Sequence, residues 1–467
     1  MPEQNKQTTA EQIHEASLSL LQEPGVRVEH EEILGLLKSN GANPGSGSQD
    51  VRLPREMVEE FLGQAPEEVV LTNRFGEETI LSSRSEPVFW SVPGMGFCHR
   101  GEHRAFASDD MAAMARLLDQ LPNVQTVFGM SLDDIPPPAR DVVGLRIMAE
   151  NTSKHIRVLC FAPQSMEVML EMKSVIGEHP WFSVGFTAHG PLRWTNLALE
   201  VFRLTAGRGI PATVNGEPMA GTSAPVTLEG TAAVGNAEIL AGIVINQILE
   251  PGRPCIYNFG LAHTFDMKTA IAVTGGPENA LFAQISAMMG RFYCLPSCSW
   301  VSTEAMCPDS QAALEKMFGF QTHVQSGVSC IWGVGQLESE LTISPGQAVI
   351  DNEMIEYAKR YHRGIEVSEE KLALDVTRSV GIAGSFLDHE HTLTHFRDEL
   401  FEPSLLFRKR RSDWNAEGMK RLDERAEEIA DDLMARPVDN GLSDEQRIEL
   451  GRLASKRLRE VSIPKML

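Results

Sequence analysis

Aromatic side chains gather where strand-like runs of this sequence end, although Phe, Trp and Tyr make up only 6% of its 467 residues. Tyr257, Trp300 and Trp332 lie at or near three of these ends, and Trp90 and Phe97 lie in a preceding segment. A quaternary ammonium group cannot donate a hydrogen bond, so proteins hold it over ring faces, each worth about 0.5–2 kcal/mol. The pattern indicates an aromatic cage for a cation, with simple packing of each ring as the alternative.

Polar side chains at the same ends offer a second kind of contact. Glu217 could add negative charge to an ammonium site or turn a loop, whereas His189 and Arg193 could hydrogen-bond a carboxylate or lie on the surface. His263 and Gln336 lie close to two further ends. The other residues at strand ends include Phe128, Met130, Cys160, Phe161, Thr187, Asn215, Asn258, Phe259 and Cys298. The candidate substrate site comprises ten of the residues at or near these ends, namely Trp90, Phe97, His189, Arg193, Glu217, Tyr257, His263, Trp300, Trp332 and Gln336.

A metal site is a weaker interpretation of the cysteines. Cys294 and Cys298 have tolerable ligand spacing, and Cys307, His323 and Cys330 follow within reach in sequence. No second compact pair completes a zinc motif, and free cysteine is common in protein cores. We therefore predict no metal ligand in this chain.

The elements that must position these residues alternate between strand and helix. Strand-like runs recur at intervals of mostly 30 to 45 residues, namely 124–130, 155–161, 182–187, 212–216, 255–259, 292–298 and 328–333. Amphipathic helices between them imply parallel pairing with right-handed crossovers. Seven runs, with an eighth unplaced, predict a (β/α)8 TIM-type barrel, whose active site lies at the carboxyl ends of its strands. An open doubly wound sheet is the rival fold, but no Gly-x-Gly-x-x-Gly or phosphate loop supports it.

Three regions follow from the changes in pattern along the chain. Residues 1–107 form an N-terminal α/β cap of helices and short strands, and residues 108–345 form the barrel core. Residues 346–467 are a charged helical extension that completes and covers the barrel. The basic run Arg408–Arg411 in this extension is either a solvated face or a docking surface for an acidic partner.

Composition excludes several classes of partner. The formal net charge of −22 opposes binding to nucleic acid and to anionic membranes. No uninterrupted run of about 18 apolar residues occurs, so no membrane span is expected. The first residues lack a secretion signal, and seven cysteines form an odd count without a Cys-x-x-Cys pair. We therefore expect reduced thiols and a cytoplasmic location.

Local runs closely resemble those of the trimethylamine methyltransferase family, from about residue 8 to residue 436. The most specific are Gly221–Gly230, Asn236–Glu238, Gln247 with Pro251-Gly252, Gly275–Glu278, Arg291–Tyr293, Pro308–Ala312 with Glu315-Lys316, and Asp388–Leu393. Such enzymes move a methyl group from a tertiary or quaternary amine to the cobalt of a separate corrinoid protein. The resemblance implies a barrel, a methylated-amine substrate and a corrinoid (cobalamin) carried by a partner protein or supplied free.

The chain is written in the twenty standard residues, whereas founding members of that family carry pyrrolysine. It therefore resembles the non-pyrrolysine branch, which implies a quaternary amine such as glycine betaine rather than trimethylamine. Trp332 stands where an Ile-His-like pair is expected, which adds an aromatic face. Co(I) is itself a strong nucleophile and a quaternary amine leaves as a neutral amine, so no catalytic side chain is assigned.

The best hypothesis is a cytoplasmic methyltransferase that passes a methyl group from glycine betaine to Co(I) of a cognate corrinoid protein docked over the barrel mouth. Tyr257, Trp300 and Trp332 are its best cage residues. One alternative is a non-catalytic barrel that serves as a betaine sensor, and another is a zinc-dependent methyltransferase for a thiol or sulfonium substrate. The C-terminal helices either wrap their own barrel or pair between chains, which leaves a homo-oligomer open.

Overall fold

The computed structural model describes residues 3–462. Eight parallel strands close into one barrel in sequence order, because each pairs with the next and the last pairs with the first. We number them β1 Val88–Ser91, β2 Val124–Phe128, β3 His155–Arg157, β4 Phe182–Thr187, β5 Ala212–Asn215, β6 Cys255–Gly260, β7 Ser297–Trp300 and β8 Cys330–Val334. The predicted (β/α)8 barrel is confirmed, and the open sheet is excluded.

Strand β1 is the one that the sequence pattern left unplaced. Val88–Ser91 was expected in the N-terminal cap, yet it pairs in parallel with both β8 and β2. The predicted boundary between cap and barrel at residues 107 and 108 is therefore wrong. The run between Pro87 and Pro93 is short enough to be a strand of a small local sheet. Its sequence gives no sign of the barrel pairing, because its partner in β8 is more than 200 residues away. The run predicted from Phe292 is also corrected, because Phe292 still ends a helix and β7 begins at Ser297.

A helix follows each strand and covers the outside of the barrel, as parallel pairing requires. These helices are Ser108–Gln120, Arg140–Asn151, Met166–Ile176, Asn196–Thr205, Leu228–Leu249, Pro277–Phe292, Ser310–Ser326 and Pro345–Arg363. The last of them lies within the predicted C-terminal region, so that region supplies the eighth barrel helix.

The helix Leu228–Leu249 is enclosed by protein on almost every side. By length and composition it is long and apolar enough to cross a membrane, yet 89% of its most apolar window is buried inside the protein. The helices Glu3–Gln22 and Arg55–Leu62 pack against it. The N-terminal region thus supplies an additional layer around this helix, which accounts for its largely apolar sequence.

The remaining N-terminal and mid-chain elements decorate the two ends of the barrel. They are the helix Glu31–Ser39, the 3-10 turns Pro137–Ala139, Pro163–Ser165 and Glu338–Glu340, and the strands Val26–Val28, Asn43–Pro44, Asp50–Arg52, Val69–Thr72, Glu78–Leu81, Gly96–His99, Glu102–Ala105, Arg193–Trp194, Met219–Ala220, His263–Asp266, Ile271–Val273, Gln336–Leu337 and Thr342–Ile343. The hairpin Val69–Thr72 with Glu78–Leu81 packs Val69, Leu71 and Leu81 onto the barrel's interior cluster. It fills part of the barrel that the strands alone leave open.

Six further helices follow the barrel. They are Glu369–Leu372, Leu374–Val380, Glu390–Glu399, Arg411–Ala416, Leu422–Ala435 and Asp444–Ser462. Leu422–Ala435 packs closely on Pro345–Arg363, and Asp444–Ser462 packs on Met166–Ile176 and Arg140–Asn151. These two longer helices cover barrel helices, while the first three make few contacts with the body.

A buried ion pair joins the last two barrel helices to the turn after β8. The Lys316 ammonium lies 2.6 Å from a carboxylate oxygen of Asp351, and both side chains are fully buried. Lys316 also donates to the carbonyls of Gly333 and Gln336, and Asp351 accepts from the amide of Gly335. The pair therefore fixes the course of the chain where it leaves the barrel rim.

Replacing Lys316 with Met is expected to lower the free energy of unfolding by about 3–5 kcal/mol, because Asp351 would remain buried without its cation. Urea denaturation followed by circular dichroism measures this loss. The double variant K316M/D351N should lose less, since it leaves no unpaired charge. As a control, Arg378→Met removes an exposed pair with Asp375 and should change stability by less than about 0.5 kcal/mol. An equal loss in the single and double variants would contradict the expectation.

Candidate active site at the carboxyl ends of the strands

A cavity of about 200 Å³ opens at the carboxyl ends of several barrel strands. Its lining comprises Pro93, Phe128, Arg157, Val158, Leu159, Cys160, Phe161, Gly185, Phe186, Thr187, His189, Leu197, Ala198, Val201, Asn215, Glu217, Leu261, Trp332 and Glu340. A larger groove of about 710 Å³ lies outside the barrel among its covering helices and contains no strand-end residue. Active sites of this fold lie at the strand ends, so the smaller cavity is the candidate site.

The aromatic side of the cavity is formed by Trp332 at the end of β8. Its ring packs edge-on against Phe128, with centroids 5.1 Å apart, and stacks on Trp90 at 5.8 Å with planes 12° apart. Trp332 and Trp90 are almost fully buried, and neither indole nitrogen has a hydrogen-bond partner within the described chain. Trp90 thus supports Trp332 from behind rather than lining the cavity itself.

Carboxyl groups form a second side of the cavity. Glu217 and Glu340 line it, and both are only half-buried as whole residues. Burial raises the pKa of Glu217 to about 7, and it also raises the pKa of Glu340, to which the nearby Glu217 adds. The buried Glu238 has its pKa raised to about 7 by burial and by Glu217, although it accepts from the amide of Leu192. A positive charge placed among these groups would favour their ionised forms.

Arg157, at the end of β3, is a buried cation without a counter-ion. Its guanidinium donates to the carbonyl of Val158 at 2.7 Å and to the Thr213 hydroxyl at 3.1 Å, and lies 5.2 Å from the Phe128 ring centroid. Its Nε has no partner, and no carboxylate forms an ion pair with it among residues 3–462. Burial lowers the pKa of Arg157 to about 9. An isolated charge of this kind is costly, so a bound anion would relieve it.

Gly185 on the neighbouring strand makes room for this guanidinium. A Cβ built at residue 185 would lie 1.6 Å from a terminal nitrogen of Arg157 and 2.2 Å from the Thr213 hydroxyl. Any larger residue there would displace Arg157, so the glycine in β4 and the arginine in β3 form one unit.

Three of the predicted site residues meet in the cavity. His189, Glu217 and Trp332 all line it. His189 is exposed, and its ring nitrogen lies 3.2 Å from the carbonyl of Thr187. The carboxyl and aromatic parts of the predicted site are therefore close together, with the imidazole at the edge.

Tyr257 lies on the other face of its strand, so its placement does not support its prediction as a cage residue. Its hydroxyl donates to the Asn236 side chain at 2.9 Å, and its ring packs 5.8 Å from Tyr293 between the barrel and its helices. Side chains alternate between the two faces of a strand, and in β6 the neighbouring Ile256 belongs to the interior cluster. One residue of register therefore decides that the ring points outward.

Trp300, His263 and Gln336 are buried near the rim but do not line the cavity. With the Asn279 amide oriented to satisfy both groups, Trp300 exchanges two hydrogen bonds with it, each 3.0 Å. The Nδ1 atom of His263 lies within hydrogen-bond distance, 2.8 Å, of the carbonyl oxygen of Leu261. With the Gln336 side-chain amide likewise oriented to satisfy its neighbours, its oxygen accepts a hydrogen bond from the backbone amide of Glu340. Gln336 therefore positions the loop that carries this acid.

Phe97 and Arg193 lie in small sheets outside the cavity, and their predicted contact with substrate is not supported by their placement. Phe97 is buried against Phe106 and under the guanidinium of Arg104, 4.9 Å from its ring centroid. Arg193 is exposed and pairs with Glu29 at 2.7 Å. Both strands pair with strands from other parts of the chain rather than with a barrel strand.

Two of the most chemically distinct cavity residues, Arg157 and Glu340, were not among the predicted site residues. A signal for Arg157 was present, because it is a charged residue inside the otherwise apolar run Ile156–Phe161. Glu340 gave none, since it lies in the short turn Glu338–Glu340 within an acidic stretch. Only the return of that turn over the rim places it beside Glu217.

The cysteines considered as zinc ligands do not converge. Cys298 and Cys330 are buried on paired strands inside the barrel, whereas Cys294 and Cys307 are exposed. Within residues 3–462, no three His, Cys, Asp or Glu side chains form a group that could hold a metal ion.

Comparison with known proteins assigns this barrel to a family. The family model described as trimethylamine methyltransferase (MTTB) matches residues 3–462. Trimethylamine methyltransferase MttB of Desulfitobacterium hafniense (strain DSM 10664 / DCB-2) is 31% identical over 434 residues, covering 90% of this chain and 86% of that protein. MttB of Methanosarcina thermophila is 32% identical over 454 residues, covering 91% and 92%. The glycine betaine methyltransferase of Desulfitobacterium hafniense (strain Y51) is 29% identical over 469 residues, covering 97% and 96%.

A solved structure has the same architecture. The crystal structure of the Methanosarcina barkeri monomethylamine methyltransferase (MtmB) matches with a TM-score of 0.56 and 13% identity, covering 97% of this chain and 87% of that one. At this identity the likeness concerns the fold alone. The family model, however, spans almost the whole sequence, and two of these relatives exceed 30% identity over nine-tenths of it. The chain therefore belongs to the trimethylamine methyltransferase family and is a methyltransferase of the trimethylamine and glycine betaine type.

Proposed function

We propose that this protein transfers a methyl group from a small zwitterionic quaternary amine, with glycine betaine as the best candidate, to Co(I) of a corrinoid on a separate protein. The observation that carries the proposal is the cavity, in which the unpaired Arg157 shares one enclosure with Trp332, Glu217 and Glu340. A guanidinium complements a carboxylate, and an aromatic face with nearby carboxyls complements a cation that cannot donate hydrogen bonds.

Arg157 is the residue that favours a zwitterion over a plain amine. An arginine side chain has five N–H donors, and the structure accounts for two of them. A substrate carboxylate would supply both the missing negative charge and the missing acceptors, whereas trimethylamine has no anionic group to offer. Relatives that act on trimethylamine and on glycine betaine have nearly equal identities, so overall identity does not decide between the two substrates.

Glu217 and Glu340 belong to the opposite, cationic end of the proposed substrate. Neither acid forms an ion pair with Arg157 among the described residues, although all three side chains line the same cavity. A betaine bound between them would place its ammonium beside Trp332 and the two carboxyls. Binding would then fix the N–CH3 direction, because both ends of a short molecule are held.

The methyl acceptor is proposed to approach from outside. A volume of about 200 Å³ suits a small amine but is below the range of about 300–1,000 Å³ for larger ligands, so a corrinoid macrocycle would stay at the opening. When bound there, the corrinoid supplies a Co(I) nucleophile that takes the methyl group. The side chains of this protein hold the amine and exclude water, and the neutral amine product leaves without a general acid. All seven cysteines are unpaired, which fits the reducing cytoplasm proposed for this chemistry.

A spectroscopic transfer assay tests the reaction itself. With cobalamin reduced to Co(I), either free or on its carrier protein, the conversion to methyl-Co(III) should follow addition of glycine betaine. Carnitine, proline betaine, dimethylsulfoniopropionate and trimethylamine form the comparison panel, and trimethylamine should give no methylation. Binding of a betaine without methylation of either acceptor would instead identify a sensor. Preferred methylation by trimethylamine would overturn the proposed substrate.

The roles of Arg157 and Trp332 can be separated with two ligands. Arg157→Met should weaken glycine betaine binding by about 10- to 100-fold, the loss of a charge-assisted contact of about 1.5–3 kcal/mol, and leave tetramethylammonium unchanged. Trp332→Ala should weaken both ligands, because it removes the ring that faces the cation. Titration calorimetry measures all four affinities, with Arg193→Met as the matched control that should match the wild type. Equal losses for both ligands in Arg157→Met would remove the carboxylate assignment.

The pH dependence of binding reports on Glu217. Its pKa of about 7 means that the carboxyl is neutral below this pH and charged above it. A cationic ligand binds the charged form better, so affinity should rise with pH across roughly pH 6 to 8, by about ten-fold if binding lowers the pKa by one unit. Glu217→Gln should flatten this rise, whereas Glu238→Gln, which does not line the cavity, should retain most of it. A wild-type affinity independent of pH would contradict contact between Glu217 and the cation.

A further inference from the structure

A segment of the C-terminal region contains no buried residue. Residues 364–400, which we call the arm, include three short helices and remain exposed or half-exposed throughout. Ten of their large apolar side chains are exposed, three of them by 104%, 90% and 81%, at Ile382, Ile365 and Leu387. The other seven are Val367, Leu372, Leu374, Phe386, Leu393, Phe396 and Leu400. So much exposed apolar surface on one segment of a folded chain marks an interaction site.

The arm has a defined shape because both of its ends are tied to the last barrel helix. Arg360 donates to the carbonyl of Glu399 at 2.7 Å, and Lys371 forms an ion pair with the Glu399 side chain. Tyr357 packs against Phe401 with ring centroids 5.2 Å apart. The chain therefore leaves the body at Gly364 and returns to the same place, so the arm is an excursion rather than a frayed end.

The arm leaves the body at the opposite end of the barrel from the cavity. The helix Pro345–Arg363 begins beside the rim, directly after the turn that carries Glu340, and packs along β8. Nineteen residues of helix span about 28 Å, which takes the chain to the far end of the strands. A corrinoid protein over the mouth would not cover the arm, so the arm has a different occupant.

The exposed apolar area is large enough for a stable interface between proteins. At roughly 150–200 Å² for a fully exposed side chain of this size, the ten residues leave on the order of 1,000 Å² accessible, against about 800 Å² per partner in a standard interface. Tyr357 and Tyr361 on the adjoining helix are also exposed and extend the same surface.

The arm is acidic and the segment that directly follows it is basic, yet the two form no ion pairs with each other within the described part of one chain. The arm has eight Asp or Glu residues and three Lys or Arg residues. The exposed basic run Arg408–Arg411 lies close to the end of the arm, because Arg408 donates to the carbonyl of Phe401, the residue after the arm. In the described residues, Arg408, Arg410 and Arg411 form no ion pair with any carboxylate, and Lys409 pairs with Glu417 outside the arm. A surface that carries both halves of a complementary pair is suited to a copy of itself.

We infer that the arm is a two-fold interface with a second copy of this chain. The apolar side chains of the two arms pack together, and the acidic residues of each arm face the basic run of the other copy. Such an arrangement is isologous and closed, and it leaves both cavities open at the outer ends of the pair.

Light scattering coupled to size-exclusion chromatography tests this interface on the full-length protein. The wild type should have the mass of at least two chains of 51.5 kDa each, and I382D/L387D should lower that mass at least two-fold. Both positions are exposed in the single chain, so the variant should keep the wild-type circular dichroism spectrum. The control L314D/I448D changes two equally apolar side chains, each 72% exposed, elsewhere on the surface and should leave the mass unchanged.

A second variant tests the charge contacts. R410E/R411E should also dissociate the two copies of the chain. The wild-type dimer should persist at raised salt, because its apolar contacts are not screened. A monomeric wild type would overturn the inference, as would an undiminished mass in I382D/L387D. A monomer that gains mass only when the corrinoid protein is added would assign the arm to that partner instead. Betaine binding by a dissociated variant is not required, so the result is independent of the proposed function.

Discussion

Closure of the barrel is the constraint on which the rest of the structure depends. Once β1 pairs with β8 and β2, every strand has two neighbours, and each side chain must point either into the barrel or toward its helices. Trp90 and Trp332 fall inside and stack on one another, while Tyr257 falls outside against Tyr293. The aromatic part of the site is therefore a product of strand register rather than of aromatic content.

The cavity at the strand ends contains groups that do not stabilise the fold. A guanidinium without a counter-ion and carboxyls with raised pKa values are both unfavourable when buried together with apolar rings. The fold tolerates them because the surrounding barrel is large and well packed, and because Gly185 leaves space for Arg157. A zwitterion would satisfy both kinds of charge at once, so the same groups that cost stability would give affinity and orientation.

The two ends of the barrel have separate roles in this interpretation. The cavity opens at the carboxyl ends of the strands, and the arm leaves from the end of Pro345–Arg363, about one helix length away. A methyl acceptor and a second copy of the chain can then bind at the same time without competing. The buried Lys316–Asp351 pair joins the two regions, because it fixes the start of the helix that ends at the arm.

Sequence by itself determined the fold class, the family and part of the site. The alternation of strands and helices predicted the barrel, because parallel strands require crossovers. Short sequence motifs identified the family. Strand ends also gave Trp332, Glu217 and His189, since parallel strands bring their carboxyl ends to one rim. Tertiary structure alone decided that Val88–Ser91 belongs to the barrel and that Tyr257, Phe97 and Arg193 lie outside the cavity. It also placed Glu340 beside Glu217 and left Arg157 unpaired, because such contacts depend on register and on chain returns between residues far apart in sequence.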